Sequence, residues 1–561
     1  MNRIIRQLLL LLSFLMPLWA AAQSPAVKKA GQSVLVLTSF NKDGTIHTVS
    51  HAVLTGNTGE AIAMWHDLEG ADHAIVIDSK GKQYSVDAML GVSENYDVCR
   101  FRLKNYTNAA TALSLVTSNA EQPSLYLIGY DLKSPSVKQL KPVRVEKFMT
   151  DYNYYVFRDE DVSGNQLGCP VVDAEGHLVG IMQRPAAGGQ AFTADARLTT
   201  TFKLTGFSIN DQTLRATGIR VALPSDHEQA TLMLMLATNQ ADSVKYNQYV
   251  DDFIQAFPTA TEGYNARATQ LMAKGDLAGA DDMLQTEVKR AEKKDEAYSN
   301  YATMVYRAVL YKVDTTYTKW NLDRAMDLAK EAEKVNPIPS YKHQQAQILY
   351  AQGNYTQSLA YLEALHQTNF RSNGEIYLEA AQCKTMLNAP KQEIMALLDS
   401  AVNAQSGAAS APYVLARGRA YDNNGEYRKA FLDYLTYDSL MNGRGSADFY
   451  FVKYKCENRI HQYQLALNDI AHAIVLNPSE PLYYAEMASL QLRVNQPDQA
   501  VKTCDLAFRL PNADEYSDLY IIKGIGLCET NHKEEGLENL KKAQEKGDTR
   551  AQALIEKYSK K

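Results

Sequence analysis

The chain lacks C-x-x-C pairs and any cysteine–histidine grouping with zinc spacing, although it holds six cysteines: Cys99, Cys169, Cys383, Cys456, Cys504 and Cys528. That argues against zinc ribbons and dithiol redox motifs, and neither a metal nor a cofactor is expected. Most of these cysteines lie at apolar positions of strand or helix patterns, where a small buried hydrophobe is the expected role. There is no excess of basic charge. The net charge is −6, which gives no electrostatic basis for binding nucleic acid. Beyond the first 22 residues there is no long apolar run, so no membrane span is expected after that point.

What is present starts with a targeting pattern. Arg3 and Arg6 precede an apolar run, Leu8–Leu18, and Ala20, Ala21 and Ala22 stand before Gln23. This order predicts a signal peptide over 1–22 and export, to a Gram-negative periplasm or outside the cell. The run is short for a membrane anchor, and no cysteine follows Ala22 to make a lipoprotein. The 561 residues allow two to four domains.

Residues 26–222 are rich in strand signals. Ser33–Ser39, Ile62–Trp65, Ala74–Ile77, Val98–Leu103 and Leu125–Ile128 are short β-branched runs bounded by Gly, Asn, Asp and Lys clusters. Many short strands of this kind predict a barrel or sandwich. The decisive stretch is Asp161–Met182, DVSGNQLGCPVVDAEGHLVGIM. It reads as a tight turn over Ser163–Pro170, a strand at Val171–Val172, a second turn at Asp173–Gly176, and a strand over Leu178–Met182.

This stretch resembles the trypsin-like serine protease frame G-N-S-G-G-P-V followed by G-x-V-V-G-I. Cys169-Pro170-Val171 and Gly176–Ile181 hold the frame, and Leu167 stands at the nucleophile position. Upstream, Ser50–Leu54, Gly56–Gly59, Ala63–His66 and Asp67–Ala71 resemble the family's strand, turn and histidine segment. Ala74–Ile77, Gly81 and Tyr84–Val86 resemble its next hairpin, and Asn95–Leu103 its aspartate strand. The spacing is similar to that of compact Deg/HtrA proteases and covers about residues 33 to 203, though no PDZ-like domain follows. The resemblance implies a chymotrypsin-type double barrel with His66 at the general-base position and Asp97 at the orienting carboxylate. It places Asn165 where a glycine helps build the oxyanion hole, with Gly168 the frame glycine. With one extra loop residue, Gln166 takes the nucleophile position instead; neither alignment supplies a hydroxyl. Ser163 and Cys169 are the side chains that could substitute, given a remodelled loop or a formed thiolate. No Arg or Asp is placed to define a primary specificity pocket.

Residues 223–259 read as a helical connector: a helix start at Pro224–Asp226, an apolar Ala230–Ala237, and an amphipathic Tyr246–Phe257 before Pro258. Residues 260–561 carry spaced small residues at a period of roughly 34–36, as in tetratricopeptide repeats. The clearest unit holds Tyr463, Ala466, Ala473 and Pro478. Others hold Gly418, Tyr421, Gly425 and Ala430, or Gly524, Gly536 and Ala543. About eight units and a capping helix over Arg550–Tyr558 are expected. Each is a helix pair that must stack on neighbours to bury its apolar face. The resemblance implies a groove for a protein or peptide lined by first helices, with His343, Gln347 and Tyr350 on it and without a lysine/arginine carboxylate clamp.

The chain thus reads as multidomain: an all-β double barrel of chymotrypsin type, then an all-α tetratricopeptide superhelix. The expected function is an exported pseudoprotease that binds a partner protein or peptide. The alternatives are an active serine or cysteine endopeptidase whose repeats dock substrate, and a repeat protein whose barrel merely caps the stack.

Overall fold

The computed structural model describes residues 24–560 apart from 57, 107–110, 119, 123, 132–134, 159–161, 184–188 and 241. The expected signal peptide, 1–22, lies outside the described residues. By internal contacts the chain forms two compact units, residues 1–293 and 294–561.

The first unit opens with a short helix, Pro25–Lys29, and a closed six-stranded barrel. Its strands are β1 (Val34–Phe40), β2 (Ile46–Leu54), β3 (Glu60–Ala63), β4 (His73–Ile77), β5 (Gln83–Ser93) and β6 (Val98–Leu103), joined in the order β1-β2-β3-β6-β5-β4. Alternate residues point inward, which buries Leu35 and Leu37 on β1 and Phe101 and Leu103 on β6. β5 carries two irregularities, one on each side of Met89, that bend it around the barrel.

A second sheet of seven strands follows: β7 (Leu125–Ile128), β8 (Val137–Leu140), β9 (Arg144–Phe148), β10 (Tyr152–Phe157), β11 (Pro170–Val172), β12 (Leu178–Gln183) and β13 (Ala191–Asp195). The order is β8-β7-β11-β12-β13-β10-β9, antiparallel throughout. Two antiparallel lobes in sequence are the arrangement of chymotrypsin-type folds. Between them lies an apolar seam of Val53, Ile62, Met64 and Val98 from the first lobe and Leu178, Ile181 and Leu198 from the second.

The barrel's core does not stop at residue 222. Ala230, Met233, Leu234 and Ala237 of helix His227–Gln240, and Tyr249, Val250 and Phe253 of helix Ser243–Ala256, belong to the same buried cluster as Leu35 and Phe101. The apolar Ala230–Ala237 run is thus explained by packing. Behind it, Arg220 and Arg102 each reach both Asp87 and Asp252 at 2.6–3.0 Å, and the Arg220 side chain is 3% exposed. A helix pair, Glu262–Ala273 and Leu277–Arg290, closes this unit.

The second unit is a run of antiparallel helix pairs from Lys294 to Glu545, ending in helix Ala551–Ser559. The small residues sit at helix crossings. A Cβ on Gly524 would come within 3.0 Å of Gly536 O, and one on Gly536 within 2.4 Å of Cys528 Sγ, so helices Ser517–Glu529 and Lys533–Glu545 touch backbone to backbone. Gly353 and Gly425 take positive φ (78° and 79°) at the ends of first helices, where a left-handed residue terminates the helix. Large buried tyrosines, Tyr434, Tyr450 and Tyr454, fill the spaces between pairs. The unit has the tetratricopeptide pattern. Among the described residues no helix is long and apolar enough to cross a membrane.

Candidate functional site

His66 lies in a one-turn helix, Trp65–Asp67, just after β3. Asp97 ends the turn between β5 and β6 with φ 46°, a left-handed backbone held by its partners. The Asp97 carboxylate takes two bonds from His66: the backbone N–H to Oδ1 at 2.9 Å and the ring Nδ1–H to Oδ2 at 2.6 Å. The Asp97 carbonyl takes the Gln183 amide at 2.6 Å and Trp65 N–H at 3.3 Å. The second Gln183 N–H goes to Tyr96 O at 3.0 Å, so β12 of the second lobe braces the aspartate turn of the first.

The other ring nitrogen, Nε2, is 3.5 Å from Asp67 Oδ1. Asp67 is buried, and its Oδ2 accepts the Ser50 hydroxyl at 2.7 Å. His66 therefore stands between two carboxyls, and among the described residues these are its hydrogen-bond and ion-pair partners. The Asp97 hydrogen bond raises the His66 pKa, against the opposing pull of partial burial. Burial first of all raises the Asp67 carboxyl. A raised histidine adds stability that is full below its ordinary 6.5 and is lost as pH climbs through the folded value. In an NMR titration the His66 ring is expected to titrate above 6.5, and Asp97→Asn to bring it down. An unchanged midpoint in Asp97→Asn would refute this assignment of cause.

The turn over residues 163–168 is closed on itself. Ser163 N–H donates to Gln166 Oε1 at 3.1 Å, and the Ser163 hydroxyl donates to Asn165 Oδ1 at 2.6 Å. Gln166 N bonds Ser163 O at 3.0 Å, and Leu167 N bonds Gly164 O at 3.3 Å. The amide of Leu167, the residue expected at the nucleophile position, is thus spent inside the turn. The half-buried Leu167 side chain packs against both the second lobe's core and the interlobe seam. Its carbonyl accepts His51 Nδ1–H at 3.0 Å. Ser50 and His51 are successive residues of β2 and so face opposite ways, one to Asp67 and one to the turn. Gly168 has φ 77° and packs on the His51 backbone. Cys169 is fully buried, and burial pushes its thiol up to about 12, far from a thiolate at neutral pH.

The structure brings together His66 and Asp97, and separately Asn165, Leu167 and Gly168. Reading the sequence alone misses Asp67, Ser50, His51 and Gln183. Asp67 directly follows His66, so its position was available; its side of the ring was not.

In the second unit, His343 is 9% exposed, with Nε2–H donating to Glu379 Oε2 at 2.6 Å. Gln347 donates to Glu379 Oε1 at 2.8 Å, and the Tyr350 ring meets Tyr355 edge-on at 5.2 Å. His343 and Gln347 therefore join helix Pro339–Ala351 to the next first helix, Gly374–Met386, through the one carboxylate of Glu379. A roomier recess, about 690 Å³, lies further along, lined by Leu482, Glu486, Ile521, Ile525, Arg550 and Leu554.

No family model and no curated protein matches the chain. Among solved structures it is similar to the HtrA-type protease AlgW with tripeptide, at 20% identity over 31% of this chain and 60% of that one, TM-score 0.26. It is also similar to the Rv3671c protease from M. tuberculosis in its active form, at 14% identity over 33% and 84% of the two chains, TM-score 0.27. A third is YrrB, a TPR protein with an unusual peptide-binding site, at 17% identity over 35% and 96%, TM-score 0.30. The chain spans about three fifths of the length of the AlgW chain.

Proposed function

We propose that the protein is a pseudoprotease: an exported, catalytically silent two-lobed domain joined to a repeat scaffold that binds a partner protein or peptide. The observation that carries this is the surroundings of His66. Its Nε2, the atom that would accept a nucleophile's proton, faces the buried Asp67 at 3.5 Å, while the nucleophile position holds Leu167. The two carboxyls favour the protonated imidazole, the form that cannot take up a nucleophile's proton. The Leu167 amide, bonded to Gly164 O, is unavailable to an oxyanion. The partner-binding half of the reading draws support from the recess around Ile521 and Ile525, where apolar side chains from successive first helices meet Glu486 and Arg550.

The test uses purified chain, unfolded casein and a fluorophosphonate probe. No cleavage above the buffer blank and no labelling are expected. Leu167→Ser alone is expected to stay silent, because neither the Asp67 contact nor the turn amide changes. The rival reading, an active endopeptidase, draws on the intact His66–Asp97 pair; labelling that disappears in His66→Ala would establish it.

A further inference from the structure

A pocket of about 260 Å³ opens in the first unit, between the short helical turns Gly206–Asn210 and Leu214–Ala216, residues 217–221, and helix Ser243–Ala256. Its apolar lining, Ile209, Leu214, Ile219, Val221 and Tyr249, is buried and continuous with the barrel's core. Its charged lining is basic throughout: Arg215, Arg220 and Lys245. Arg220 is already paired, Nη1 with Asp252 at 2.9 Å and Nη2 with Asp87 at 3.0 Å, and Arg102 matches the second charge of those two carboxylates. The other two cations have no such match among the described residues. Lys245 Nζ donates to Gly218 O at 2.9 Å and meets no carboxylate, and the exposed Arg215 guanidinium takes no partner. The acids on the other flank of Lys245 are engaged: Asp72 with His73, Asp87 with the two arginines, and Asp242 with the Lys245 backbone N–H. The wall itself is fixed. Arg220 O accepts Met89 N–H and Met89 O accepts Ala222 N–H, both at 2.8 Å. Ala71 O accepts Gly218 N–H at 2.7 Å and the Thr217 hydroxyl at 3.1 Å. The pocket is thus formed without a ligand, apolar in its body and with two unmatched cations on its lining.

These features select the ligand by what each alternative would cost. An inorganic anion such as phosphate would trade its hydration for contact with Ile209, Leu214 and Val221, which offer it no hydrogen bond. An uncharged apolar molecule would fill the body of the pocket and leave both cations unmatched. We propose that this pocket binds a small organic carboxylate with a short apolar body. The carboxylate takes charge-assisted hydrogen bonds from Arg215 and Lys245, and the body lies against Ile209, Leu214, Ile219 and Val221. The site shares no residue with the surroundings of His66, so it stands whether or not the chain cleaves anything.

Calorimetric titration of the purified full chain with hexanoate tests this. A single saturable site is expected. Hexanamide, which keeps the body and loses the charge, and inorganic phosphate, which keeps the charge and loses the body, are each expected to bind at least about tenfold more weakly. Arg215→Gln and Lys245→Met are each expected to weaken hexanoate about tenfold, the effect of losing one charge-assisted hydrogen bond, with the melting curve of the unliganded chain unchanged. Should Lys245→Met fail to fold, Arg215→Gln, at an exposed position, carries the test. No saturable binding of hexanoate, binding of hexanamide or phosphate equal to it, or an affinity for hexanoate unchanged in Arg215→Gln overturns the proposal.

Discussion

Arg220→Ala is expected to cost the first unit about 3–5 kcal/mol, because it removes one partner from a buried ionic group. Asp87 and Asp252 would keep Arg102 but lose the guanidinium that lies deepest, 3% exposed and stacked over Tyr249 at 5.5 Å. The loss comes from stranded carboxylates rather than from the attraction itself, so relieving them should recover much of it. Arg220→Met with Asp87→Asn is accordingly expected to be milder than Arg220→Ala, since the pair is then removed together. With residues 1–22, and so Trp19, removed and in a Trp320→Phe background, Trp65, 2% exposed in the first unit, gives the readout. Equal unfolding midpoints for wild type and Arg220→Ala would refute the argument.

Gly168→Val is expected to be at least as damaging, about 4 kcal/mol or more, since two of the severe mechanisms act at once. The backbone there has φ 77°, which a β-branched residue resists, and the new Cβ would lie 2.3 Å from the His51 carbonyl oxygen. That oxygen belongs to β2 and cannot swing aside as a side-chain tip could. Gly164, four residues earlier in the same turn, is the control. Nothing lies within 4 Å of a Cβ placed there, so Gly164→Ala is expected to change stability by no more than about 0.5 kcal/mol. The comparison of the two by the same fluorescence transition separates strain at one position from general fragility of the loop.

The contrast between what sequence reading finds and misses follows from how each feature is encoded. The strands around 34–40, 98–103 and 125–128 have local signals, alternation and flanking turn residues, and the structure places them within a residue or two. The repeat period is likewise local, because each crossing demands a small residue at the same spacing. The hairpin of β9 and β10 goes unseen because its turn residues, Met149 and Thr150, adopt φ of 47° and 63° without a Gly or Asn to announce them. Residues 223–259 read as a connector, whereas their apolar side chains complete the barrel's core, a matter of tertiary packing. At the site, His66 and Asp97 could be placed by spacing. The His51 bond to Leu167 spans 116 positions and leaves no mark in either segment. His343 and Gln347 share one helical face, as periodicity suggests, but their common partner Glu379 lies one repeat on, a contact that neither segment shows by itself.

All six thiols are unjoined, five of them buried. Nothing in the folded state then depends on an oxidant: a reducing buffer is expected to leave the melting curve in place, and refolding has no wrong pairing to unscramble. A chain built this way makes no demand on the redox poise of the compartment where it folds, and needs no disulfide isomerase to reach its native form.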